Sequence, residues 1–144
     1  MGSGTVIATH YYFNENFNCA QSVIAAFSEK YGVDKISAMK LAGGLGSGFR
    51  CGEICGAVSG AVMVIGLKYG QTQANDKETK EHCYKKTEDF TDKFKEENGS
   101  ILCRDLLGYD VRRDREFIKQ SKELKLKCTA LVEAAADLLE RMGY

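Results

Sequence analysis

Not one proline occurs in 144 residues, so little except glycine, present 15 times, forces a helix to end. Proline removes a backbone donor and clashes with the preceding turn; without it, long helices stay available. Apolar residues recur at helical spacing, and no run alternates apolar and polar residues as a half-buried strand does. The expected fold class is all-α: a single-domain bundle of about five helices over residues 1–144, with one apolar helix at its centre. A chain of this length can bury roughly 70% of its unfolded surface without a cross-link.

Glycine and charge divide the chain. A first helical region is expected over residues 5–31, broken or kinked at 14–18, with Phe17, Val23, Ile24 and Phe27 on its apolar stripe and Gly32 at its end. A short helix capped by Asp34 follows, carrying Ile36, Met39 and Leu41. Next comes the loop Gly43-Gly44-Leu45-Gly46-Ser47-Gly48, whose glycines permit backbone angles that other residues avoid. Residues 54–69 are apolar nearly all round, the mark of a central helix, and Gly56, Ala57, Ser59, Gly60 and Ala61 allow neighbours to approach closely. A charged helix over 76–97 buries Cys83, Phe90 and Phe94 on one face, with Thr87 between them. Its pairs Asp76–Lys80 and Glu81–Lys85 contribute about 0.3 kcal/mol each. After a turn over 101–107 and a charged connector over 112–119, the last helix spans 123–142, with Leu124, Cys128, Leu131, Ala135 and Leu138 facing inward. Residues 1–4 read as a disordered or cloning-derived start.

Lysine plus arginine and aspartate plus glutamate balance at 20 each, so no global field attracts nucleic acid or acidic lipid. The longest apolar stretch, residues 54–67, holds three glycines and is shorter than the roughly 20 residues a membrane span needs. No basic region precedes an apolar run near Met1, as a secretory signal requires. The expected location is the cytoplasm, without membrane insertion. The apolar N-terminal residues Tyr11, Tyr12, Phe13 and Phe17 suit either the core or a homodimer contact.

Six cysteines then stand out, because thiol buffers keep cytoplasmic disulfides reduced. Cys19, Cys55 and Cys103 fall at or near expected helix starts, Cys103 three residues after the candidate cap Ser100. There, unpaired backbone N–H groups and the positive end of the helix dipole favour the thiolate. Cys128 sits mid-helix on an apolar face, Cys51 lies four residues before Cys55, and Cys83 points inward. Taken singly, each also reads as a small packed hydrophobe. No Cys-x-x-Cys, no haem-attachment spacing and no ferredoxin spacing occurs, so any shared cysteine site must be assembled by tertiary folding. The glycine loop has neither a preceding strand nor a following Gly-Lys-Ser/Thr, which argues against nucleotide binding. His10 and His82 are solitary.

Asn18-Cys19-Ala20-Gln21-Ser22, Cys55-Gly56-Ala57-Val58-Ser59-Gly60-Ala61, Gly99-Ser100-Ile101-Leu102-Cys103-Arg104-Asp105-Leu106-Leu107-Gly108 and the late Cys128 occur in that order. In this the chain resembles the small redox-active proteins named for their pattern of Cys, then Cys-Gly-Ala-x-x-Gly, then two further cysteines. The resemblance implies four characteristic cysteines, Cys19, Cys55, Cys103 and Cys128, with Cys51 and Cys83 outside the set. It implies thiol-based redox or electron-transfer chemistry, of the kind a thiol–disulfide oxidoreductase performs, toward a redox partner protein or a small thiol. The alternative is a metal-binding module in which the same four sulfurs, with Cys51 as an extra ligand, hold zinc or an iron–sulfur cluster. A further alternative is a helical interaction module whose cysteines merely pack.

Overall fold

The computed structural model describes residues 2–144. They form eight α-helices, where the sequence predicts about five. These are α1 (Ser3–Phe13), α2 (Cys19–Ser28), α3 (Lys35–Leu41), α4 (Gly56–Tyr69), α5 (Lys77–Asn98), α6 (Cys103–Leu107), α7 (Arg115–Gln120) and α8 (Lys122–Arg141). The excess comes from the first helical region dividing into α1 and α2, and from the short helices α6 and α7, neither longer than six residues. Gly108 ends α6, and Ser121, which caps α8, ends α7. The five longest helices, α1, α2, α4, α5 and α8, make the bundle, and no strand is formed among the described residues.

The helix starts follow from local chemistry. Asn18 closes a capping box with Gln21: its side chain accepts from the Gln21 N–H at 2.8 Å, and the Gln21 side chain accepts from the Asn18 N–H at 3.0 Å. The same two amides reach across to α3, Asn18 donating to the Ala42 and Gly43 carbonyls and Gln21 to that of Met39. Cys19 is thereby fixed as the first residue of α2. Asp34, Asp76 and Ser121 cap α3, α5 and α8 through their side chains. Ser100 does not cap α6; Leu102 takes that position, and Ser100 Oγ accepts from the Leu102 N–H while donating to Asp105.

α4 runs through the centre, with Ala57, Val58, Ala61, Val64 and Ile65 fully buried. On one side α2 comes close because α4 presents glycines there. A Cβ on Gly60 would stand 2.7 Å from the Ala20 carbonyl oxygen, and one on Gly56 3.0 Å from the Cys19 Cβ. On another side packs α5, whose only buried residues are Phe90 and Phe94, stacked at 6.1 Å between centroids. α8 lines the remaining side and also holds α1.

Three sequence expectations are corrected. Ser3 and Gly4 are helical, and Gly4 is buried where a Cβ would meet the Phe27 ring at 2.8 Å, so the start is ordered from there; Met1 lies outside the described residues. The ion pair on α5 joins Lys85 to Asp89 at 2.8 Å, not Asp76 to Lys80 or Glu81 to Lys85. Asp76 is instead engaged by the Thr79 N–H as a cap. The third correction concerns the glycine loop. Of its glycines only Gly48 takes a positive φ, and the left-handed run, Ser47, Gly48, Phe49 and Arg50 with φ between 56° and 61°, extends two residues beyond the loop. Three of them carry side chains, for which this region costs roughly 1–2 kcal/mol each. No described helix is long and apolar enough to cross a membrane.

Candidate functional site

Cys19 begins α2, Cys55 immediately precedes α4, Cys103 begins α6, and Cys128 lies on the inner side of α8. Two backbone features bring the first three together. The glycine contacts between α2 and α4 bring the start of one helix against the start of the other. Residues 53–55 then pair antiparallel with 101–103: the Cys55 N–H donates to the Ile101 carbonyl at 2.7 Å, and the Cys103 N–H to that of Glu53 at 2.6 Å. Arg104 and Glu53 form an ion pair at 2.9 Å over this bridge. The segments leading into α4 and α6 are thus clamped side by side.

All four cysteines line one cavity of about 90 Å³, closed by Tyr12, Ser47, Gly56, Leu106, Leu107, Ile118 and Leu131. Cys55 and Cys103 are buried, Cys19 and Cys128 partly so. The two remaining cysteines lie outside it. Cys51 is exposed on the glycine loop, its thiol donating to the Gly48 carbonyl at 3.3 Å, and Cys83 is half-buried on α5.

The helix starts act on the thiols as expected, but burial outweighs them. The N–H groups of Ala57 and Val58 at the head of α4 pull the Cys55 pKa down, yet desolvation leaves it above the ordinary thiol value. Burial also pushes Cys19 well up, helped by the neighbouring Cys55, Cys128 and Cys103 sulfurs. Cys103 is pushed up to about 12 by burial and by Cys55 and Cys128, against a downward pull from Arg50. Cys128 is raised by burial, while the Tyr12 hydroxyl and then Lys125 and Lys127 favour its thiolate. At neutral pH the cavity therefore holds four protonated thiols, contrary to the thiolates predicted from helix position alone.

Sequence reasoning missed Tyr12, Ser47 and Lys125. Tyr12 sits on the cavity with its hydroxyl toward Cys128, and the Lys125 ammonium lies 3.9 Å from the centroid of its ring. Lys125 also donates to the Tyr12 carbonyl at 2.9 Å, tying α8 to the end of α1. The one available signal was the aromatic run before Cys19, which reads equally well as core. His10 pairs with Glu15 at 3.1 Å, and His82 packs edge-on against Tyr69, 4.9 Å between centroids; neither lines the cavity. Among the described residues no three His, Cys, Asp or Glu side chains come together in an arrangement able to hold a metal ion.

No curated protein and no solved structure matches the chain. A family model does, over residues 17–142, which include every element that contributes a cysteine to the cavity. Within that span the motif has a structural meaning: Asn18 and Gln21 set the start of α2, Gly56 and Gly60 let α2 approach α4, and the four cysteines surround the void that results. The chain belongs to the family described as "Putative redox-active protein (C_GCAxxG_C_C)".

Proposed function

We propose that the protein is a thiol-based redox protein that moves electrons through Cys19, Cys55, Cys103 and Cys128. One observation carries this reading. Four cysteines from four elements share a single buried cavity, while the other two cysteines of the chain stay outside it. A cysteine used only for packing has no reason to be grouped in this way.

The step that fits is dithiol–disulfide exchange, with Cys55 and Cys19 as the pair across the α2–α4 contact. One sulfur loses its proton and attacks an incoming disulfide, forming a mixed disulfide and expelling one thiolate, which takes up that proton. The second sulfur then attacks the first, forming the protein disulfide and releasing the second thiol with its proton. Two protein thiols give up two electrons, and one substrate disulfide becomes two thiols. Because burial holds the thiols protonated, the rate should climb about tenfold per pH unit through the neutral range. A plateau below pH 7 would contradict this.

Alkylation counting of thiols before and after mild oxidation tests the assignment. Cys55→Ser should abolish reversible two-electron oxidation, and Cys83→Ser should leave it intact; full redox activity in Cys55→Ser would sink the proposal.

The donor set also favours a second reading, since four thiols around one void are the ligands that zinc or an iron–sulfur cluster takes. As placed, the sulfurs do not fit such a group, because no three ligands converge. They would have to move inward. Metal and acid-labile sulfide content of protein purified without oxygen distinguishes the readings. Stoichiometric iron with sulfide, or zinc alone, supports the metal site; neither leaves dithiol exchange.

A further inference from the structure

Beside the thiol cavity lies a second, more open depression of about 410 Å³, lined by Ser47, Arg50, Val111, Arg115, Ile118 and Lys119. Ser47 and Ile118 line the thiol cavity as well, so the two spaces share a wall. Every charged residue around the outer depression is a cation. Arg50, Arg115 and Lys119 are all exposed, and among the described residues none makes an ion pair. In a chain whose charges balance at 20 and 20, three unpaired cations around one concavity are a local feature.

The left-handed turn builds this arrangement. It places Ser47 in the shared wall and Arg50 at the rim, where the Arg50 guanidinium donates to Ser47 Oγ at 3.1 Å. The Arg112 Nε–H holds the Arg50 carbonyl at 2.7 Å. Strained backbone of this kind persists where the surroundings over-determine it, commonly beside a functional site. α7, which falls within the charged connector expected over 112–119, supplies the other two cations.

We propose that this depression binds an anionic low-molecular-weight disulfide and presents it to the thiol cavity, so that the substrate is selected by its negative charge. The volume falls in the range of small-molecule pockets, and clustered like charge in a concavity concentrates the opposite ion. The reaction is the exchange described above: two cavity thiols become a disulfide, and the bound anionic disulfide leaves as two anionic thiols. The inference rests on the redox reading for the fate of the electrons, and on the cations alone for binding.

The test compares oxidation of the reduced protein by glutathione disulfide (anionic), hydroxyethyl disulfide (neutral) and cystamine (cationic), followed by intact mass. At low salt, glutathione disulfide should react about tenfold faster than cystamine, and the advantage should shrink as salt screens the cations. The Arg115→Glu/Lys119→Glu double variant, altered only at exposed positions, should reverse that preference while reacting normally with hydroxyethyl disulfide. If hydroxyethyl disulfide oxidises both proteins and the charge preference is the same in each, the inference falls and the redox reading stands. If no disulfide reacts, the redox reading falls. Calorimetric binding of S-methylglutathione then decides the rest: binding that the double variant loses supports the anion site, and no binding to the unaltered protein overturns it.

Discussion

α4 meets its neighbours along two seams built on opposite principles. Toward α2 it presents glycine and alanine, and the helices come so close that a single added methyl at Gly60 would strike the Ala20 carbonyl. On the side where α5 packs, the buried residues of that helix are large rings, Phe90 and Phe94. The small-residue seam ends at a cavity with four thiols around it. Buried area scales with side-chain size, so the phenylalanine seam contributes more stability, while the glycine seam brings backbone segments and their cysteines together. Stability and chemistry are thus divided between two sides of one helix.

The hardest test of that division is Phe94→Ala. It should lower unfolding free energy by about 3–5 kcal/mol, the cost of emptying a fully buried ring position, while leaving the rate of thiol oxidation unchanged at temperatures where the protein is folded. Urea denaturation gives the first quantity and alkylation kinetics the second. If oxidation changes as much as stability does, the two seams are not separate.

Next in size is a pH effect confined to the thiol seam. The cavity thiols have pKa values raised above those of the unfolded chain, so folding holds protons that the unfolded state releases. The stabilisation this represents is fully present below about pH 8.5, where unfolded thiols are still protonated, and is lost as pH rises toward the folded Cys103 value of about 12. Denaturation midpoints should therefore fall across that window. Cys103→Ala should fall less steeply than the unaltered protein, and Phe94→Ala as steeply. An equal slope in Cys103→Ala would remove the thiol from the account.

Much of the bundle is legible in the sequence, because caps and periodicity are local. Asp34 marks a helix start, and the all-round apolarity of residues 54–69 marks the centre. The grouping of Cys19, Cys55, Cys103 and Cys128 comes from the family resemblance; no spacing in the chain dictates it. It depends on the 53–55 with 101–103 bridge and on the α2–α4 approach, both long-range. The thiolate expectation failed for the same reason. A helix start is visible in the sequence, but the desolvation that outweighs it is a property of the assembled core. The left-handed turn was hidden because Ser47, Phe49 and Arg50 have no local preference for it.

The smallest effects offer the sharpest comparison, since they set two glycines of the same helix against each other. At Gly60 an alanine must push α2 back by its backbone, which cannot give as a side chain can; the expected loss is about 1–3 kcal/mol. Moving α2 also moves Cys19 from Cys55, so exchange between them should slow as well. Gly66 lies in α4 with nothing within 4 Å of an added Cβ. There an alanine only restricts the unfolded chain and favours the helix, so Gly66→Ala should stabilise by about 0.5–1 kcal/mol and leave thiol oxidation unchanged. Should both substitutions shift stability in the same direction, or should Gly66→Ala alter the thiols, close approach along the α2 seam would no longer explain why the motif needs glycine at position 60.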